Sequence, residues 1–193
     1  MMSDLYKLGR VPDELTDGLS DERFEYPNIW AREKTSGPDR LAVAPRSGYA
    51  QLLWKLCGCM EPPFLLLYDL AIPRGGGEPG RYQSNYSFSL SQLQQFLSDY
   101  FEFLEKDARH NLWLRSDEGM LVYDRHNVIY AYGPLERFVA VLESAGLTES
   151  NEVRFPSPHA HHYHADFDSD ENRILHNEDW TISPLRPGDE NPD

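Results

Sequence analysis

The sequence predicts an α+β fold: a single, mostly antiparallel sheet, built from a central buried strand plus a three-stranded meander, packed by about three helices. Three observations carry this expectation. The run FLLLYDLAI at 64–72 is almost continuously apolar and bounded by prolines, as a strand covered on both faces would be. Three short alternating segments follow one another between 110 and 133, close enough for hairpin turns. Three other stretches place apolar residues at helical spacing.

Residues 1–40 read as an irregular N-terminal arm. VPDELTDGLSDERF mixes a proline, a glycine and scattered charge, which breaks both helix and strand periods. Tyr26, Ile29 and Trp30 are apolar enough to anchor the arm, and SGPD at 36–39 reads as a turn.

Residues 41–150 read as the α+β core. YAQLLWKLCGCM at 49–60 puts Leu52, Leu53, Leu56 and Met60 on one helical face, and Pro62-Pro63 stops it. The buried strand follows, then the long loop PRGGGEPGRYQSN. Ser89 or Ser91 caps a second helix reaching about Lys106, with Leu93, Phe96, Leu97, Tyr100, Phe101 and Leu104 as its buried stripe. HNLWLRS, MLVYD and VIYAYG form the meander, separated by DEG and RHN turns. Pro134 opens a third helix and Gly146 ends it.

Residues 151–178 read as a His/Asp-rich extended segment with a short helix that completes the domain. Residues 179–193 read as an acidic C-terminal tail. Residues 151–193 carry ten acidic and three basic side chains, half of the net charge of −14.

That charge excludes phosphate backbones and anionic membranes as natural partners, so neither nucleic acid nor membrane is expected. It favours a basic protein partner, as an acidic inhibitor or immunity-type protein would have. No apolar run spans a bilayer and MMSDLYKLGR lacks the apolar stretch of a secretory signal, so a cytoplasmic location is expected. Cys57 and Cys59 sit too close for an unstrained disulfide and read as reduced thiols.

Three stretches have the composition of a chemical site. The first is PSPHAHHYHADFD at 156–168. On a strand, alternate residues share a face, so His162, His164 and Asp166 would line one side. Two imidazoles and a carboxylate suit a divalent metal such as zinc. The second is the glycine-rich loop 73–81, where Arg74 and Arg81 flank backbone amides able to hold a small anion. Its spacing matches neither dinucleotide nor P-loop motifs. The third is the tripeptide Arg-His-Asn, present at 109–111 and 125–127. It places Arg109, His110, Asp124, Arg125 and His126 toward one end of the meander as a polar ligand-binding patch. No serine or cysteine nucleophile accompanies it, so a binding role is expected ahead of an enzymatic one. Tyr82, Tyr86, Phe88, Tyr123, Tyr130 and Tyr132 supply aromatic groups for a protein-docking face.

Overall fold

The computed structural model describes residues 5–12 and 21–186. In chain order its first elements are β1 (Leu8–Arg10), β2 (Glu22–Arg23), β3 (Ile29–Glu33), β4 (Arg40–Ala44), α1 (Tyr49–Cys57), β5 (Leu65–Leu70) and β6 (Gly80–Ser84). Then come α2 (Leu90–Asp99), α3 (Phe101–Lys106), β7 (His110–Arg115), β8 (Met120–Tyr123), β9 (Ile129–Tyr132) and α4 (Leu135–Ser144). The last are β10 (Thr148–Glu149), β11 (His159–His161), α5 (Asp168–Asn177) and β12 (Trp180–Ser183).

The strands form two sheets. Nine make the main sheet, in the order β10-β3-β4-β9-β8-β7-β5-β6-β12, and three make a small one, β11-β1-β2. The main sheet is mixed, because β10 runs parallel to β3 while the other pairs are antiparallel. The expected single sheet with three helices is therefore corrected: twelve strands, five helices and two sheets are present among the described residues.

The reasons for the difference are local. β3 and β4 flank the turn at SGPD, but charged residues at both strand ends hide the hairpin. β6 is embedded in the tail of the glycine-rich loop, where glycine and polar residues mask a strand. β10, β11 and β12 are short edge strands whose polar residues carry no alternation. The long second helix is two helices, because Tyr100 leaves helical geometry at φ −123° and ψ 17°.

The caps follow the sequence. Ser89 caps α2: its hydroxyl accepts from the Gln92 N–H at 3.3 Å, and Gln92 Oε1 accepts from the Ser89 N–H at 2.9 Å, a reciprocal capping box. Gly133 precedes α4 at φ +122°, where a Cβ would stand 2.4 Å from the Glu118 carbonyl oxygen. Only glycine fits there.

Burial alternates along the central strands. Leu66, Tyr68 and Leu70 of β5 and Leu112 and Leu114 of β7 are fully buried in the core that also takes Leu53, Leu56, Phe96, Leu97, Phe103, Phe138 and Leu142 from the helices. Each fully buried leucine stabilises by roughly 1.5–3 kcal/mol relative to exposure. Leu65, Leu67, Trp113, Arg115 and Met120 point the other way and are only half-buried or exposed. The apolar run in β5 is thus covered on one face, and the opposite face of the sheet is open around these residues.

Candidate functional site

The turn joining β8 to β9 is built by Asp124. Its Oδ1 accepts from the N–H groups of His126 at 2.9 Å and Val128 at 2.8 Å, and Asn127 takes a positive φ of 62°. These are the hydrogen bonds of an aspartate-initiated turn. They bring Asp124 Oδ2 to 3.0 Å from His126 Nδ1. A carboxylate accepts there from Nδ1–H, which leaves the imidazole lone pair on Nε2. The His126 carbonyl accepts from the Tyr26 hydroxyl at 2.9 Å. Phe155 stacks on the imidazole, with ring centres 4.3 Å apart and planes 17° apart. His126 is buried and held from four sides.

β11 brings two more imidazoles. His159 and His161 stand two residues apart on one strand face, with β11 fixed by antiparallel pairing to β1. Their ring centres lie 5.1 Å and 4.8 Å from that of His126, and 4.9 Å from each other. One ring nitrogen from each of the three histidines can be chosen so that no two are farther apart than 4.8 Å. The Nε2 atoms of His126 and His161 are buried without a hydrogen-bond partner among the described residues. His159 Nδ1 faces the Pro156 carbonyl at 3.0 Å, which orients its ring. Burial, reinforced by the positive charges of Arg125 and Lys7 and by the neighbouring imidazoles, pushes the His161 pKa down to about 2. His161 is neutral at physiological pH, the form that ligates metals.

Three imidazoles with a carboxylate behind one of them form a donor set that divalent zinc-type ions accept. In a loaded tetrahedral site with metal–nitrogen bonds of about 2.0–2.1 Å, the ligating nitrogens stand roughly 3.4 Å apart. Closing from the observed spacing takes side-chain rotation on the order of 1 Å.

This is a different trio from the one expected. His162 Nε2 stands 2.8 Å from Asp21 Oδ2, and His164 Nε2 donates to the Tyr6 carbonyl at 3.0 Å. The two rings do share a face, stacked with centres 6.1 Å apart. Asp166 is exposed in a 3-10 turn over Ala165–Phe167, beyond the end of β11. Strand alternation therefore stops before the carboxylate, and the odd-numbered histidines face the main sheet.

The other candidate residues divide into three places. Arg109 is fully buried and has turned away from the His126 turn. It bonds Asp107 through two nitrogens at 2.8 and 2.9 Å, Glu171 at 2.7 Å, Asp168 at 3.2 Å and the His164 carbonyl at 2.8 Å. Burial opposes its charge, but Asp107 and Glu171 outweigh that and raise its pKa. His110 lies in the core between Tyr68 and Phe103, with ring centres 5.2 and 4.6 Å away. Burial, with help from Lys7 and Arg109, pushes its pKa well down. Arg125 stays beside His126, its backbone N–H bonded to Asn111 Oδ1 at 3.0 Å.

The glycine-rich loop does face an anion, and the anion is the chain's own Glu171. Its carboxylate accepts from the N–H groups of Arg74 at 3.0 Å, Gly75 at 2.8 Å and Gly77 at 3.2 Å. Arg74 pairs with Asp168 at 3.2 Å, and Arg81 lies 3.8 Å from Asp69. The loop amides that would have met a free ligand are thus saturated by α5. Of the tyrosine group, Tyr82, Phe88 and Tyr123 are core residues, Tyr130 and Tyr132 are half-buried, and Tyr86 is exposed.

In comparisons with protein-family models, with curated proteins and with solved structures, nothing matches this chain. Among the described residues, no helix is long and apolar enough to cross a membrane.

Proposed function

We propose that this chain is a metal-binding protein that holds a divalent, zinc-type ion at His126, His159 and His161. One observation carries the reading: three imidazole nitrogens converge within 4.8 Å, and two of the ring nitrogens in the cluster are buried without a partner among the described residues. A buried, unpaired nitrogen lone pair costs about 1–3 kcal/mol, and a metal ion removes that penalty at both positions. The ion would join β11 of the small sheet to the β8–β9 turn of the main sheet, and three protein ligands leave a position open.

The test is metal content. The full chain dialysed against zinc should retain one equivalent. His159→Ala with His161→Ala should lose it, while His162→Ala with His164→Ala should keep it. Zinc retained by the first double variant, or none retained by the parent chain, overturns the reading.

A second reading, docking of a protein partner, is supported by the open face of the main sheet. Leu65, Leu67, Trp113 and Met120 lie there with Arg81 and Arg115 around a shallow groove. Net charge favours a basic partner elsewhere on the surface, while this face, with the exposed Arg115, suits one that offers carboxylates. Two buried, unpaired thiols, Cys57 and Cys59, support a reducing, cytoplasmic setting.

A further inference from the structure

Asp124 carries more than its turn needs. One oxygen, Oδ1, accepts from both turn amides, the His126 N–H at 2.9 Å and the Val128 N–H at 2.8 Å. The backbone closes the same turn twice more: Asp124 N–H donates to the Val128 carbonyl at 3.0 Å, and Asn127 N–H to the Asp124 carbonyl at 3.2 Å. An asparagine would supply that single side-chain acceptor equally well. It would do so without burying a carboxylate at a position only 6% exposed, and buried charge is costly. The second oxygen, Oδ2, meets His126 Nδ1 at 3.0 Å. The turn therefore leaves the choice of an acid unexplained, and the imidazole explains it.

We propose that Asp124 is the positioning residue of the histidine site: its Oδ2 accepts the Nδ1–H of His126 and so keeps Nε2 bare for the metal ion. The inference rests on the metal reading above and adds the group that governs its affinity. A neutral imidazole carries one N–H, and the hydrogen bond at one nitrogen decides which nitrogen is left to ligate. An ionised carboxylate only accepts, so Nδ1–H is the form that suits it. Phe155 stacked on the ring and the Tyr26 hydroxyl on the carbonyl hold the residue in place, with Nε2 buried and unpartnered among the described residues. His159 follows the same rule with a weaker acceptor: its Nδ1 faces the Pro156 carbonyl at 3.0 Å, which also leaves Nε2. His161 Nε2 is likewise buried without a partner among the described residues. The ion is thus taken by three Nε2 atoms, with the Asp124 carboxylate behind the most buried ring. Such outer acceptors fix ring orientation and tune metal affinity.

Asp124→Asn is the discriminating variant. It keeps Oδ1 for the turn but presents an amide N–H to Nδ1, which drives the imidazole proton to Nε2, where it blocks the ion. Nitrogen NMR of the metal-free full chain, with isotope-labelled histidine at about pH 8, above the ordinary histidine range, should show His126 protonated on Nδ1. In Asp124→Asn the proton should sit on Nε2. Zinc affinity, read by competition with a chelator, should fall about tenfold to a hundredfold in that variant, while its urea midpoint stays within about 0.5 M of the parent. Asp124→Ala removes the turn acceptor as well and should lose both zinc and stability. Equal zinc affinity in Asp124→Asn, or an Nε2 proton on His126 in the parent, overturns this proposal and leaves the metal reading intact. Weakened zinc binding with an unchanged tautomer and a large fall in midpoint assigns Asp124 to the turn alone, and also overturns it. The parent spectrum decides the tautomer even where a variant fails to fold. A parent chain that retains no zinc overturns the metal reading, and with it the role of Asp124 in affinity.

Discussion

Replacing Glu171 with alanine should loosen the junction between α5 and the glycine-rich loop, and the size of the effect follows from its four partners. Glu171 is fully buried. Its oxygens accept from Arg74 N–H, Gly75 N–H and Gly77 N–H at 3.0, 2.8 and 3.2 Å, and from Arg109 Nη1 at 2.7 Å. The alanine variant strands three backbone donors, each costing about 1 kcal/mol where water does not replace the carboxylate. It also removes one of two buried carboxylates from Arg109, which keeps its two bonds to Asp107. That second contribution is partial, on the order of 1–2 kcal/mol, below the full penalty for breaking a buried pair. The expected total is about 3–5 kcal/mol, a large share of a typical domain's 5–15 kcal/mol. With a urea slope of about 2 kcal/mol/M, the unfolding midpoint should fall by roughly 1.5–2.5 M. Glu171→Gln keeps one acceptor oxygen and should fall between parent and alanine variant. Hydrogen exchange at Gly75 and Gly77 should accelerate in both. A midpoint shift under about 0.5 M, or unchanged exchange at those amides, refutes the view that Glu171 is the loop's internal ligand.

Other expectations follow from the same geometry. His110 has a pKa depressed below that of an unfolded histidine, so its contribution is intact above about pH 6.5 and is lost as the pH falls below that, because the unfolded chain takes the proton first. Between pH 7.5 and 5.5 this one group should remove about 1.4 kcal/mol, and His110→Leu should show that much less acid sensitivity in urea unfolding; identical pH dependence would count against it. Leu66→Ala should cost about 2–5 kcal/mol. Leu65→Ala, on the open face at 41% exposure, should cost under about 1 kcal/mol, and equal losses in thermal unfolding would mean the sheet is covered on both faces. Gly133→Ala should cost about 1–3 kcal/mol for its positive φ and more for the contact with Glu118, also read by thermal unfolding; a neutral result would contradict that close approach.

How much of this was legible in the sequence depends on how local each feature is. The β7–β8–β9 meander was legible because each strand alternates and each turn is short. The helices around Leu53 and Phe138 were legible from their spacing. The β3–β4 hairpin was not, because Arg32, Glu33 and Arg40 sit at the strand ends and look like loop. Both halves of the histidine cluster stood out, one as an Asp-Arg-His-Asn turn and one as a histidine-rich run. Their union did not, because His126 and His161 meet only after β11 pairs with β1. What the inward-facing histidines meet depends on that pairing, and nothing in residues 159–164 encodes it alone. The glycine-rich loop showed an affinity for anions in its amides, but its partner Glu171 lies 97 residues beyond Arg74.

The pairing of Leu8 with His161 has a consequence for biosynthesis. On the ribosome, β1 emerges early and waits for almost the whole chain before its partner strand exists, and such distant pairings are slow to close. The central strands and the first helices can collapse beforehand, leaving Arg109 and His126 without their late-arriving partners. A nascent or truncated chain lacking its last forty or so residues would lack β11 and α5 and therefore expose these groups to solvent. Chaperones and proteases would meet that half-finished species as an intermediate.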